Sequence, residues 1–227
     1  MNKGFTLIEL MMSVAIMMLV SAVVIYNHQK FNDNLEITNL AYTVALSLRQ
    51  AQVYGMSVQG LIEGDSEEER FGVAYGVHFD MDHPTSYIFF ADTNHDGRYG
   101  GDEDNCSAGS SGGDLCLEKV TIGRGNQLGA LCENSTAGTS CYSTNRAIDV
   151  TYKRPEPDGN FKSSLSNGTP NSVVISDVIV RIVSPGGRSK DISAYTTGQI
   201  AITNSPELSE GGDIEVPVSP PLGGGKK

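Results

Sequence analysis

The segment 92–103 carries oxygen-bearing side chains at a spacing that suits calcium coordination. It reads DTNHDGRYGGDE and matches the pattern D-x-[DN]-x-[DN]-G-x5-E at every specified position. Calcium is a hard cation that takes about six to eight oxygen ligands, and alternate side chains at the start of such a loop converge on one point. The predicted ligands are the side chains of Asp92, Asn94, Asp96 and Glu103 and the backbone carbonyl of Arg98.

An acidic turn that follows a strand at 87–91 and holds no ion is the alternative interpretation of this segment. No helix is predicted on either side of it, which excludes a paired helix–loop–helix domain, and the segment resembles the isolated calcium loops of dockerins. Asp104 is a spare candidate ligand, and His95 is interpreted as a solvated side chain. Calcium is therefore the one cofactor that we predict.

A second chemical feature is the carboxylate of Glu9, which lies inside an apolar run. It is the only charged side chain in residues 5–26, and the run contains no Gly or Pro. A helix of that length spans roughly 33 Å, the thickness of a bilayer core, where a carboxylate costs about 2.5–3.5 kcal/mol. A cut after Gly4 would give Phe5 an ammonium group one helical turn from Glu9, so the two charges would neutralise each other within or between chains.

Residues 3–10, KGFTLIEL, resemble the type IV prepilin signature without a mismatch. The resemblance implies that a prepilin peptidase cuts after Gly4, that Phe5 becomes the methylated N-terminus, and that Glu9 is the assembly carboxylate. It also implies a structural subunit that is an enzyme's substrate rather than an enzyme, and we predict no catalytic residue. A secretory signal peptide is the alternative, but the apolar run exceeds the usual length of about 7–15 residues and no A-x-A site follows it.

The same resemblance implies the partners and the location of the chain. The partners are other pilins or pseudopilins, contacted through the N-terminal helix, together with the peptidase and the inner-membrane assembly machinery. The protein is expected to cross the cytoplasmic membrane once, with its globular part outside, and then to enter a periplasmic or cell-surface filament. A membrane-anchored, calcium-dependent adhesin that never polymerises is an alternative.

The elements that must position these groups are a long helix and a β-domain, an α+β arrangement that matches the pilin fold. Residues 34–54 lack Gly and Pro, and apolar residues recur there at helical spacing, so we expect one helix over 5–54 with Gly55 as its C-cap. Its membrane half, 5–26, is apolar all round, and its amphipathic half, 27–55, packs one stripe on a sheet. The stripe comprises Ile37, Leu40, Ala41, Val44, Leu48 and Ala51.

The remaining organisation follows from a change of period. Residues 1–4 are predicted to be a leader peptide, 56–204 a largely antiparallel β-domain that opens with an acidic linker at 56–71, and 205–227 a disordered tail. The predicted strands occupy 72–79, 86–91, 117–122, 147–154, 173–183 and 189–203.

The cysteines lie outside the apolar run, at spacings that do not suit zinc. They are Cys106, Cys116, Cys132 and Cys141. Two disulfides are predicted if the domain is exported, and free thiols are the alternative. Sequential pairing closes the shortest loops, although three connectivities are open.

The globular part also resembles the GspH/FimT group of minor pilins and pseudopilins, in the segments ALSLRQAQVYG, IDVTYKRPEPDG and RSKDIS…TTGQIAI. This implies a sparse subunit near the tip of a type II secretion pseudopilus or a type IV pilus. Some members of the group bind DNA through a basic segment, and Arg181, Arg188 and Lys190 are the matching residues here. The net charge of -11 opposes binding to a phosphate backbone, so nucleic acid is not an expected partner and a DNA-uptake subunit stays an alternative.

Overall fold

The computed structural model describes residues 4, 6–57, 72–101, 104, 106, 113–136 and 138–205, without the side chains of 26–32. In that part of the chain one helix, α1 (Leu7–Met56), is followed by eleven strands. The predicted acidic linker beyond residue 57 and the predicted tail beyond residue 205 lie outside the described residues, as do Phe5 and Glu103.

Helix α1 begins after Thr6, whose backbone is extended, and runs without interruption to Met56. Its length confirms the prediction of one continuous helix. The expectation that Gly55 caps the helix is wrong, because Ser57 is the C-cap and donates its N–H to the carbonyl of Val53 at 2.9 Å. Gly55 instead lies within the last turn, where the absence of a side chain lets the helix approach the backbone of Tyr152.

The predicted stripe on the amphipathic half of α1 is confirmed. Its members recur every three or four residues, which places them on one side of the helix. The fully buried ones are Ile37, Ala41, Val44, Leu48 and Ala51, and Leu40 packs against them partly buried.

The strands form two sheets in which every pairing is antiparallel. The first sheet has the order β3-β2-β1-β6-β7-β8, and the second has the order β11-β10-β9-β4-β5. Their bounds are β1 (Ala74–Asp80), β2 (Ser86–Asp92), β3 (Leu115–Thr121), β4 (Gln127–Ser135), β5 (Gly138–Tyr142), β6 (Ala147–Tyr152), β7 (Gly159–Ser164), β8 (Pro170–Asn171), β9 (Ile175–Val183), β10 (Ser189–Tyr195) and β11 (Ile200–Asn204).

All six predicted strands coincide with observed ones, and the last of them, 189–203, is a hairpin made of β10 and β11. Strands β4, β5, β7 and β8 were not predicted from the sequence. The class is α+β, as predicted: the stripe of α1 packs against both sheets, chiefly on β1, β6 and β10. Burying each large aliphatic or aromatic side chain in this core stabilises the fold by about 1.5–3 kcal/mol.

A second, smaller core covers the outer face of the first sheet. It consists of Ile88 and Phe90 from β2, Cys116 from β3, and Tyr99 from the segment that follows β2. Strands β1 and β2 are therefore buried on both faces, although one face of an antiparallel sheet is commonly left to solvent. Through Tyr99, this small core holds the segment that follows β2 against the sheet.

Candidate assembly helix and candidate metal centre

The first half of α1 extends away from the β-domain. Residues Leu7–Ile25 are long and apolar enough to cross a membrane, and none of them is buried within the chain. An apolar helix surface of this kind needs lipid or another protein surface to cover it. This segment is therefore the candidate assembly helix.

Glu9, the one carboxylate of that segment, has a partner within its own chain. Its side chain accepts hydrogen bonds from the backbone N–H of Thr6 at 3.5 Å and from the Thr6 hydroxyl at 3.2 Å. Such a contact between the third helical residue and the N-cap satisfies a free N–H at the helix start. The predicted role of Glu9 in assembly thus has to be separated experimentally from a role in closing the helix.

The predicted cleavage position, Gly4, is exposed. A Cβ placed there would meet no atom of the described residues within 4 Å, so the fold itself does not require glycine at this position. Any requirement for glycine must come from what acts on the peptide bond that follows. Phe5, the other predicted processing residue, lies outside the described residues.

The amphipathic half of α1 carries apolar side chains on its exposed side as well. We call Leu35, Tyr42, Leu46 and Val53 the outer stripe, since their spacings of seven, four and seven residues align them along one side of the helix. Leu46 is 67% exposed. The apolar surface of α1 therefore continues past the end of the assembly helix.

The second candidate site is built by the β2–β3 hairpin. Ala91 pairs with Leu115 at the end of the hairpin ladder, so Asp92 and Asp114 lie opposite each other one residue further on. The chain then turns and returns Asp96 to the same point. One carboxylate oxygen from each of the three Asp side chains lies within 4.8 Å of the other two.

The acidic loop, defined here as residues 92–101, is folded by hydrogen bonds from its own backbone. Asp92 Oδ2 accepts from the N–H of Gly97 at 3.0 Å, Asn94 Oδ1 from the N–H of Asp96 at 2.9 Å, and Asp96 Oδ1 from the N–H of Arg98 at 2.7 Å. Gly97 has a φ of 77°, which favours glycine, as the sequence pattern required. The oxygen-bearing side chains of the loop are thus folded back onto the loop's own backbone.

Asp114 is buried and fixed by two backbone donors. Its oxygens accept from the N–H of Thr93 at 3.0 Å and from the N–H of Gly100 at 2.8 Å. Burial, together with the neighbouring charge of Asp92, nevertheless raises the pKa of Asp114 to about 6. The pKa of Asp92 is also raised, by burial and by the charge of Asp96.

Two of the predicted calcium ligands, Asp92 and Asp96, therefore lie together. Asn94 lies between them in the loop, and Arg98 follows Gly97 at the position predicted to offer a carbonyl. Glu103 lies outside the described residues. The ligand roles of all five residues stay predictions.

Asp114 was missed by the sequence analysis, since it is separated from the loop pattern along the chain. Only the register of β2 against β3 reveals that it closes the group. The sequence held one usable signal, an Asp directly before an alternating strand, but the predicted strand started two residues too late, at 117. Asp104, the spare candidate ligand, lies 4.0 Å from His83.

A buried network anchors the acidic loop to the first sheet. Asp149 Oδ1 on β6 accepts the N–H of Tyr99 at 3.1 Å and lies 2.6 Å from Nδ1 of His78 on β1. The Tyr99 ring packs 5.3 Å from the rings of both His78 and Phe90. Contacts with β1, β2 and β6 thus fix the position of the acidic loop on the first sheet.

The cysteines form two disulfides with the sequential connectivity, Cys106–Cys116 and Cys132–Cys141. The second bridge joins residues that face each other across β4 and β5. The first fixes Cys116, two residues after Asp114, to the chain that follows the acidic loop.

The candidate DNA contacts are not arranged as one basic surface. Arg181 is buried, and its guanidinium makes two hydrogen bonds of 2.8 Å to the carboxylate of Asp191. Lys190 donates to Asn204 at 2.6 Å, and Arg188 is exposed in the turn between β9 and β10. The DNA hypothesis is thereby left to Arg188 and Lys190 alone.

A groove of about 510 Å³, which the sequence did not reveal, is lined by residues from β4, β5 and β8. Glu133 is buried at its base and accepts from the Tyr142 hydroxyl at 3.1 Å and from Asn171 Nδ2 at 3.3 Å. The Arg146 guanidinium lies 3.7 Å from the centre of the Tyr142 ring. This network ties the edges of the two sheets together.

The family described as the prokaryotic N-terminal methylation motif matches residues 1–25. The match confirms that the N-terminus is type IV pilin-like, and it supports a substrate of a prepilin peptidase that assembles with other pilins. Together with the apolar helix it is consistent with a membrane-anchored protein that crosses the membrane once. No curated protein and no solved structure matches the chain significantly.

Proposed function

We propose that this protein is a minor pilin or pseudopilin, a structural subunit that waits in the cytoplasmic membrane with its β-domain outside. After cleavage behind Gly4 it joins a type IV pilus or a type II secretion pseudopilus through α1. The observation that carries the proposal is an apolar helix, Leu7–Ile25, which lies within the matched methylation motif at residues 1–25 and which the chain's own domain leaves uncovered.

The outer stripe supports assembly beyond simple anchoring. A membrane-spanning helix needs only about 20 predominantly apolar residues, and Leu7–Ile25 is already a span of 19 residues. Leu35, Tyr42 and Leu46 lie past that segment, where lipid cannot cover them. A row of exposed apolar side chains along a helix outside the bilayer is suited to packing against the helices of neighbouring subunits.

Glu9 supports the same function through its charge. In the precursor its carboxylate closes the helix start through Thr6. After cleavage, the α-amino group of Phe5 in a neighbouring subunit provides an opposite charge, and the pair lowers the cost of each ion in apolar surroundings. Pairing of this kind would fix the axial position of one subunit against the next.

The two roles of Glu9 are separable, because Glu9→Gln keeps an oxygen that accepts from Thr6 but removes the charge. The test compares Glu9→Gln and Glu9→Ala with the wild type and with Ser13→Ala, a control that removes another polar group from the same helix. Mass spectrometry of sheared filaments and of the membrane fraction gives both the processing state and the amount incorporated.

We expect all four chains to lose residues 1–4 and to gain a methyl group. Wild type and Ser13→Ala should enter filaments, whereas both Glu9 variants should fall by about tenfold or more, as an unpaired charge that costs about 2.5–3.5 kcal/mol implies. Normal incorporation of Glu9→Gln would reduce Glu9 to a helix-capping residue. A mature chain that still begins at Met1 would refute the proposed function itself.

A further inference from the structure

We propose that the acidic loop binds one calcium ion between Asp92, Asp96 and Asp114, and that the ion ties the end of β2 to the start of β3. The site lies in the β-domain, apart from the assembly helix, and goes beyond the proposed function. Asp114 is a ligand that the linear loop pattern does not contain.

The observation that points to a cation is an oxygen without a partner. Asp92 is 3% exposed, and its Oδ2 accepts from Gly97, but no described residue donates a hydrogen bond to its Oδ1. A buried carboxylate oxygen without a donor carries a full desolvation cost. A cation at this point would remove that cost.

The surrounding donors suit calcium. Carboxylate oxygens of Asp92, Asp96 and Asp114 already lie within 4.8 Å of one another, so a single ion can bridge them with little movement of the backbone. Calcium prefers carboxylate, amide and carbonyl oxygens at about 2.3–2.6 Å, in flexible geometry. Asn94 offers an amide oxygen in the same loop, and no soft ligand from His or Cys belongs to the described cluster.

The site is also held in place before an ion arrives. Asp114 is fixed by Thr93 and Gly100, and the loop is fixed to the sheet through Tyr99 and Asp149. A preformed site spends less of its binding free energy on ordering the chain. Magnesium, which demands near-ideal octahedral geometry at shorter distances, suits such a set of carboxylates less well.

The test uses the full chain in detergent after removal of divalent ions with a chelator. Isothermal titration with calcium chloride should give one ion per chain, with a Kd below about 1 mM, and magnesium chloride should bind more weakly. Calcium at about 100 times its Kd should raise the Tm by about 5–10 °C. No binding heat and no shift in Tm at 10 mM calcium, about ten times that upper limit, would overturn the proposal.

Two substitutions test the ligand assignment. Asp96→Asn keeps an oxygen for the N–H of Arg98 and alters an exposed side chain, so it should fold normally and bind calcium about tenfold or more weakly. Asp114→Asn should weaken calcium similarly and also lower the Tm of the metal-free chain, since one of its two backbone contacts is lost.

Asp158→Asn is the matched control, because it removes one exposed carboxylate of the same domain outside the cluster. Its affinity should equal that of the wild type. Equal weakening in Asp158→Asn would show a general charge effect, and wild-type affinity in Asp114→Asn would remove Asp114 from the site; either result contradicts the proposal. Filament assembly is not needed for any of these measurements, so their failure leaves the proposed function untouched.

Discussion

Gly55 allows a close approach between α1 and the β-domain, which makes Gly55→Ala an informative substitution. A Cβ at this position would lie 2.7 Å from the carbonyl carbon of Tyr152 on β6, and closer still to its oxygen. Carbon atoms in contact normally lie about 3.5–4.0 Å apart, so helix and strand must separate by about 1 Å. The atoms in the way belong to the backbone of Tyr152 and not to a flexible side chain. The separation should therefore loosen the packing of the buried stripe of the helix.

The expected destabilisation follows from two opposed effects. Overpacking against backbone costs about 3 kcal/mol, at the upper end of the usual range, and replacing Gly by Ala inside a helix returns about 1 kcal/mol. The net loss of about 2 kcal/mol corresponds to a fall in Tm of about 4–8 °C for a chain of this size. Scanning calorimetry of the full chain in detergent measures this shift.

Gly123→Ala is the matched control, since a Cβ at Gly123 would meet nothing within 4 Å among the described residues. Its Tm should stay the same or rise slightly, because Ala restricts the unfolded chain. A local measurement is the hydrogen exchange of the Arg154 amide, which donates to the Gly55 carbonyl at 3.1 Å and should exchange faster in Gly55→Ala. Equal Tm values for the two variants and unchanged exchange at Arg154 would refute the packing argument.

Two further predictions concern the outer stripe and a buried carboxylate. Leu46→Glu should leave the Tm within about 2 °C, since the side chain is mostly exposed, but it should lower incorporation into filaments. The control Val174→Glu, at an 81% exposed site of the β-domain, should not lower incorporation. Equal incorporation of the two variants in sheared fractions would contradict a role for the outer stripe. Asp80 is buried, which alone would raise its pKa, but hydrogen bonds from Ser166, from His83 and from the N–H of Asp82 hold its pKa below 3.8. Because the folded pKa is the lower one, its contribution to stability is present above about pH 4 and lost as the pH falls through the folded pKa. Acid titrations of unfolding should therefore show Asp80→Asn destabilised at pH 7 and the gap to the wild type closing below pH 4, and a gap that is constant from pH 7 to pH 3 would contradict this.

The sequence was informative where one local pattern decides the structure. The unbroken run without Gly or Pro determines α1, and the three- and four-residue spacing of Ala41, Val44 and Leu48 determines which side of it is buried. The fold class and the main strands followed from the change of period. Strands β5 and β7 were not predicted because they are rich in small and polar side chains. Their pairing with neighbouring strands, rather than their composition, makes them strands.

The candidate site was predictable only in part, for the same reason. The pattern that contains Asp92 and Asp96 is continuous in sequence, whereas Asp114 joins it through the register of a hairpin. Arg181 shows the opposite case: its basic side chain suggested a phosphate contact, but the pairing of β9 with β10 places it against Asp191. Sequence alone does not distinguish a basic side chain that is paired with a buried carboxylate from one that is free to bind a phosphate.

The uncovered apolar segment of α1 limits how a subunit can leave the membrane. Eight residues separate Ile25, the end of the apolar segment, from Asp33, where Gly186 of the β9–β10 turn lies against α1, so the domain reaches to within about 12 Å of that segment along the helix. Moving the subunit out of the membrane into water would expose the 19 mostly apolar residues of Leu7–Ile25. The free-energy cost is about 1.5–3 kcal/mol for each large side chain. For the subunit to assemble as proposed, withdrawal from lipid and docking on the filament must be coupled, so that each turn of helix passes directly from lipid to the apolar surface of neighbouring subunits.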